Sequence, residues 1–241
     1  MKRQLVLPIA LVLLAAASAQ AKISDVVRRN FPVAEGGKLM VETDIGDIEV
    51  TSGGTGVSVE VYRVASTNSQ ERANKLFAKH QLTFDQHGND VVIRSRNNES
   101  WSFFNWDWGV DYRYVVRVPA RYDVELHTSG GDIKVSSLTG TVDLHTSGGD
   151  IKLGRINGPV TARTSGGDVE VSGATGKLDL HTSGGDVEVG DVNGSVQART
   201  SGGSIHVRKV SGNLVAHSSG GGITIEETSG AVDASTTGGS I

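Results

Sequence analysis

The sequence predicts an all-β, single-domain β-solenoid with 18-residue coils and one short inserted α-helix over 69–79. Three observations predict it. Thr128, Thr146, Thr164, Thr182, Thr200, Ser218 and Thr236 recur at a fixed interval without insertion or deletion, the first four opening the phrase T-S-G-G-D-[IV]. Apolar residues alternate with polar ones on both sides of that phrase, as in strands with one buried face. Glycine, 32 residues against 4 prolines, is concentrated at fixed places in each repeat. A short fixed period means one supersecondary unit stacked on copies of itself.

The elements follow in chain order. Residues 1–19 read as a secretory signal: Lys2 and Arg3 form a charged start, Leu5 to Leu14 an apolar stretch, and Ala17-Ser18-Ala19 a cleavage site. Ala19-Gln20-Ala21 offers a second register, so cleavage is expected after Ala19 or Ala21. No stretch approaches the ~20 apolar residues of a membrane span. With no cysteine in the chain, disulfides and a lipidated cysteine are excluded. Residues 20–36 form an N-terminal segment before the solenoid.

Residues 37–50 repeat the unit in degenerate form. Gly37-Lys38-Leu39-Met40-Val41-Glu42-Thr43 matches the end of one repeat, and Asp47-Ile48-Glu49-Val50 the start of the next. The solenoid is therefore expected over 37–241, interrupted by an insertion at 56–110. Within the insertion, Val57, Val59 and Val61 alternate as a strand. Ser69 is the N-cap of a helix reaching Lys79, with Leu76 and Phe77 as its buried face. Strands follow around Leu82–Phe84 and Val91–Ile93, and Tyr114–Val118 leads into the regular array at 128–241.

In the repeat Thr128 to His145, apolar residues stand at places 6, 8, 11, 15 and 17: Ile133, Val135, Leu138, Val142 and Leu144. Two strands and two glycine corners complete one coil. Such a coil buries about five side chains at ~1.5–3 kcal/mol each, while ordering its backbone costs ~1–2 kcal/mol per residue. No coil stands alone, and the array folds through stacking. At ~4.8 Å per coil, six coils make a rod roughly 29 Å long. Place 17 alternates Leu144, Ala162, Leu180, Ala198 in step with His145, Arg163, His181, Arg199 at place 18. This 36-residue super-repeat points to duplication of coil pairs.

With GDIEV at 46–50 and the phased T-S-G-G-D-[IV] phrases, the stretch from Gly37 to Ile241 resembles the bacterial "putative adhesin" family of β-strand-repeat envelope proteins, a domain of unknown function. The resemblance implies an exported or surface-facing β-solenoid, in a family where some members are linked to envelope-stress sensing. It carries no catalytic residues over.

Several constellations are candidates for chemistry. Asp132, Asp150, Asp168 and Asp186 form a column at place 5, a weak calcium site because the second glycine-Asp half of a calcium-binding β-roll is missing; the alternative is Asp capping the Gly-Gly corner through backbone N–H groups. His127, His145, His181 and His217 share an outward column with Arg163 and Arg199. His127 and His145 offer two zinc ligands without a third, and Glu125, Asp143 and Asp179 beside the column fit plain charge balance. Protonation of the histidines in acid would make that face more cationic. The threonines of place 1 are expected to turn inward and bond along the stack.

Trp101, Phe103, Phe104, Trp106, Trp108, Tyr112 and Tyr114 form the one aromatic cluster. They suit a sugar platform, a protein contact or an interfacial membrane contact, or else a lid over the interrupted solenoid. Acids and bases recur by repeat phase and do not converge, and no nucleophile motif is present, so no enzyme and no cofactor are expected. Loss of Lys2 and Arg3 would leave 21 basic against 27 acidic residues, which argues against nucleic acid.

The reading is an exported, periplasmic or surface-located, non-enzymatic binding module for an envelope glycan or protein. The alternative is a periplasmic or envelope-stress scaffold that self-assembles end to end through its C-terminal coil. A polysaccharide-active β-helix enzyme is the remote third.

Overall fold

A computed structural model describes residues 22–97 and 109–241. The chain opens with β1 (Ile23–Phe31), β2 (Lys38–Thr43), β3 (Asp47–Ser52), β4 (Val57–Ala65), α1 (Gln70–Lys79), β5 (His80–His87), β6 (Asp90–Asn97), β7 (Val110–Val118), β8 (Asp123–His127) and β9 (Ile133–Val135). Short strands continue to Val232–Thr236.

Two sheets face each other across one core. The first runs β1-β4-β7-β3-β9 and on through strands starting at Ile151, Val169, Val187, Ile205 and Ile223. The second runs β5-β6-β2-β8 and on through strands starting at Val142, Val160, Leu178, Val196, Leu214 and Val232. Every ladder within the array is parallel and joins residues one repeat apart, as in Leu144↔Ala162 and Ile151↔Val169. Because a one-residue slip would turn each apolar side chain outward, the alternating pattern fixes this register. Large and small residues mesh down the core, with Leu126, Leu144, Ala162, Leu180 and Ala198 all fully buried.

The degenerate repeat at 37–50 is a true coil. β2 pairs in parallel with β8 and β3 with β9, so Leu39 stacks on Val124 and Ile48 on Ile133. β6 and β7 make a further coil beyond it, each parallel to its neighbour. There the parallel solenoid ends: β4 runs antiparallel to β7, β1 to β4, and β5 to β6. Beyond the β2–β3 coil the first sheet therefore gains three strands and the second only two.

α1 starts where expected, with the Ser69 hydroxyl accepting from Arg72 N at 3.3 Å. Its buried residues are Ala73 and Phe77, while Leu76 is half-buried. The i, i+4 spacing of Ala73 and Phe77 sets the inner stripe and turns Leu76 to its margin.

Candidate binding surface

The T-S-G-G-D phrase folds into a corner whose bonds run from coil to coil. Each place-1 hydroxyl, from Thr128 to Thr236, donates to a glycine carbonyl of the preceding coil at 2.7–3.0 Å. From Thr146 onward the same oxygen accepts from the second glycine N–H of its own corner at 3.0–3.4 Å. Thr128, Thr146, Thr164, Thr182, Thr200 and Ser218 are buried, as the inward reading expected, and Thr236 is half-buried. The carboxylates of Asp47, Asp132, Asp150, Asp168 and Asp186 each accept through Oδ1 from the place-5 backbone N–H of the next coil, at 2.7–3.0 Å. The Asp column is thus engaged in corner capping. Among the described residues no group of three or more His, Asp and Glu is placed to hold a metal ion. We expect the melting temperature of the protein to be the same in millimolar calcium and in chelator; a calcium-dependent rise would assign the column to ion binding.

The histidine column lies on the outer face of the second sheet, in register from Glu42 through His127, His145, Arg163, His181, Arg199 and His217. His127 and His145 stand edge to face with centroids 6.0 Å apart. Arg163 bonds Asp179 at 2.7 Å, and His217 lies 3.9 Å from Asp233. These contacts tie part of the column to acids and rings of its own sheet.

The repeat breaks at one corner. Between β2 and β3 the chain crosses from the second sheet to the first in residues 44–46; between β6 and β7 the equivalent crossing is residues 98–109. On the next level α1 crosses back from β4 to β5. Register shows that both connections are anchored at the same two points. Asn97 at the end of β6 is opposite His80 at the start of β5, and Val110 at the start of β7 is opposite Ala65 at the end of β4. Ser66 N donates to Gly109 O at 2.8 Å, closing the anchor.

A cleft of about 530 Å³ opens beside it, lined by Ser24 and Asp25 of β1, Arg63 of β4, and Gln70, Asn74, Phe77 and Ala78 of α1. Arg63 is bonded to Asp25, and its guanidinium carbon sits 4.7 Å from the Phe77 ring centroid. The hydrogen bond from Arg63 holds the Asp25 carboxyl below its ordinary range. Gln70 donates to Asn74 Oδ1 at 3.0 Å across one helical turn. The signal for this cleft in the sequence was faint, since its charged pair joins residues 38 apart.

Of the aromatic candidates, Trp101, Phe103, Phe104, Trp106 and Trp108 lie outside the described residues. Tyr112 and Tyr114 correct the expectation of a contact surface: they are 4% and 0% exposed. In β7 the alternation sends Val110, Tyr112, Tyr114, Val116 and Val118 inward. Tyr114 shares a hydrogen bond with Thr43 at 3.0 Å, and Tyr112 packs 5.4 Å from the His80 ring. Burial pushes the Tyr112 hydroxyl up to about 12 and raises that of Tyr114. Neither exchanges a proton readily near neutral pH.

Residues 37–241 match the family described as Toastrack DUF4097. Among solved structures, a "putative adhesin" from Bacteroides fragilis is similar at 17% identity and TM-score 0.48, covering 90% of this chain and 97% of that one. A "putative adhesin" from Parabacteroides merdae is similar at 9% identity and TM-score 0.45, covering 90% and 96%. A "putative lipid binding protein" from Parabacteroides distasonis is similar at 13% identity and TM-score 0.40, covering 90% and 97%. No curated protein matches the chain.

Proposed function

The chain belongs to the Toastrack family, and from that premise we propose that it is an exported, non-enzymatic binding module of the cell envelope. Its contact region is the corner where the repeat is interrupted, and the array is the rigid mount that carries it. The observation that supports this reading is the shared anchoring of α1 and the 98–109 connection on Ala65/Val110 and His80/Asn97, with the cleft beside them. Elsewhere the outer faces carry repeating polar and charged columns, such as Lys134, Lys152, Glu170 and Glu188, and the interior is filled by stacked apolar residues. The partner is an envelope glycan or protein. The sequence supplies five aromatic residues from Trp101 to Trp108 to this connection, the residue types that dominate contact energies.

The test compares the mature chain with a Trp106→Ala, Trp108→Ala double variant in pull-downs of envelope fractions. A binding role predicts loss of at least about tenfold in retention with an unchanged melting temperature. Equal retention with a lowered melting temperature would make these residues a structural lid. Export is tested separately, by N-terminal sequencing of the protein from the periplasmic or culture fraction, which should begin after Ala19 or Ala21.

A further inference from the structure

The opposite end of the rod carries a different surface. β1 is the outermost strand of the first sheet, paired on one side with β4 along all nine residues. Its inward row is Ile23, Asp25, Val27, Arg29 and Phe31. Because the second sheet stops one strand short, Ile23, Val27 and Phe31 are only half-buried. An edge strand presents backbone N–H and C=O groups for pairing, and charges on an edge usually guard it. On β1, Val26 N–H is held by Asp25 Oδ1 and Arg28 C=O by Arg29 Nη1, two bonds that pairing would exchange for cross-strand ones.

The charges on β1 do something else: they complement themselves. We infer that β1 is a two-fold interface, pairing antiparallel with β1 of a second copy about Val27. In that register Val27 faces the partner's Val27, Asp25 faces the partner's Arg29, and Ile23 faces the partner's Phe31. On the outer row Ser24 meets the partner's Asn30, and Val26 meets the partner's Arg28. The two-fold axis makes each contact occur twice. Both neighbouring registers that keep the inward rows together fail. Centring on Val26 sets Asp25 against a valine and Ser24 against an arginine. Centring on Arg28 sets arginine against arginine, Asp25 against phenylalanine and Val27 against arginine. On the inward row, every apolar residue meets an apolar one and every charge its opposite only in the Val27 register, the arrangement that stabilises antiparallel neighbours.

The side chains are available for it. Among the described residues Arg29 has no carboxylate partner; it donates to the Arg28 carbonyl at 2.8 Å and lies 5.4 Å from the Phe84 ring centroid. Asp25 bonds Arg63 through Oδ2 and Val26 N through Oδ1, and a carboxylate has lone pairs for a second cation. Arg28, which would point outward near the axis, is neutralised by Glu60 at 2.9 Å. Pairing would join two first sheets into one continuous sheet and cover the half-buried row. It leaves the last coil of each rod pointing away from the axis.

Light scattering and sedimentation of the mature chain should show a dimer. The chain has no cysteine of its own, so Val27→Cys should give a disulfide-linked dimer under mild oxidation, and Lys134→Cys, on the array, should not. Arg29→Asp sets aspartate against aspartate and should weaken the dimer at least about tenfold; Asp25→Arg sets arginine against arginine and should do the same. Mixed in equal amounts, those two variants restore both unlike-charge contacts and should form a heterodimer. Circular dichroism checks that each variant is folded; if Asp25→Arg is not, the Arg29→Asp and Val27→Cys results decide. A monomeric wild type overturns the inference. So does a dimer that ignores Arg29→Asp and is not linked by Val27→Cys, which would place self-association away from β1.

Discussion

Gly185→Ala should destabilise the array by about 3 kcal/mol or more, whereas Gly184→Ala, one residue earlier, should cost about 1 kcal/mol. The two glycines look equivalent in the sequence and are not equivalent in the stack. A Cβ on Gly185 would stand 2.1 Å from the Gly167 carbonyl oxygen and 2.5 Å from Asp168 Oδ1. Both obstacles belong to the coil below: the first is backbone and cannot swing aside, and the second is a side-chain oxygen held by Asp186 N at 2.8 Å. A Cβ on Gly184 meets its nearest atom, Gly166 O, at 3.2 Å, a distance that small shifts relieve. Place 4 is equally crowded at Gly149, Gly167, Gly203 and Gly221, with contacts of 2.1–2.2 Å. The measurement is thermal melting by circular dichroism. At ~2–4 °C per kcal/mol for a chain of this size, Gly185→Ala should lower the midpoint by on the order of 10 °C. Equal midpoints for the two variants would show that the corners do not stack this closely in solution.

The second large effect is expected from Thr182→Val, at about 2 kcal/mol. Valine has nearly the same shape, so the loss is that of the hydroxyl alone. That hydroxyl donates to Gly167 O at 2.8 Å and accepts from Gly185 N at 3.2 Å, linking two coils and closing its own corner. Removing it leaves a backbone acceptor and a backbone donor unpaired in a buried corner, and such groups cost more than the bond they lose. Thr182→Ser keeps the bridge and should cost about 1 kcal/mol or less, in line with Ser218, which makes the same pair of bonds at 2.8 and 3.0 Å. Amide hydrogen exchange gives the local readout: Gly185 N–H should lose protection in the valine variant and keep it in the serine variant. Retained protection in the valine variant would mean that water replaces the hydroxyl at no cost.

What the sequence made legible is the array. A strict period with apolar residues at fixed places determines coil, register and inward face together, and Thr128 to Thr236 are found bonded along the stack. The degenerate coil at 37–50 was also readable, because Leu39, Val41, Ile48 and Val50 keep the spacing of the buried places. The antiparallel cap was not readable, since nothing local in Ile23–Phe31 says that its partner is Val57–Ala65. The tyrosines were misread for a physical reason. Tyr112 and Tyr114 continue a dense aromatic run, and composition drew attention away from the strict alternation of Val110 to Val118 that buries them. Likewise, β6 and β7 did not read as a coil, because their connecting corner is residues 98–109 where its neighbour uses 44–46.

The direction of the inter-coil bonds has a mechanical consequence. They run along the rod, so tension between the two ends of the chain acts along them and peels the end coil from its neighbour bond by bond. Coils behind the peeling edge keep their full set of bonds. When one coil has peeled away, 18 residues that occupied ~4.8 Å of rod become free chain spanning up to roughly 60 Å at ~3.3–3.6 Å per residue. A tethered molecule of this construction lengthens coil after coil, absorbing work while the remaining coils stay folded.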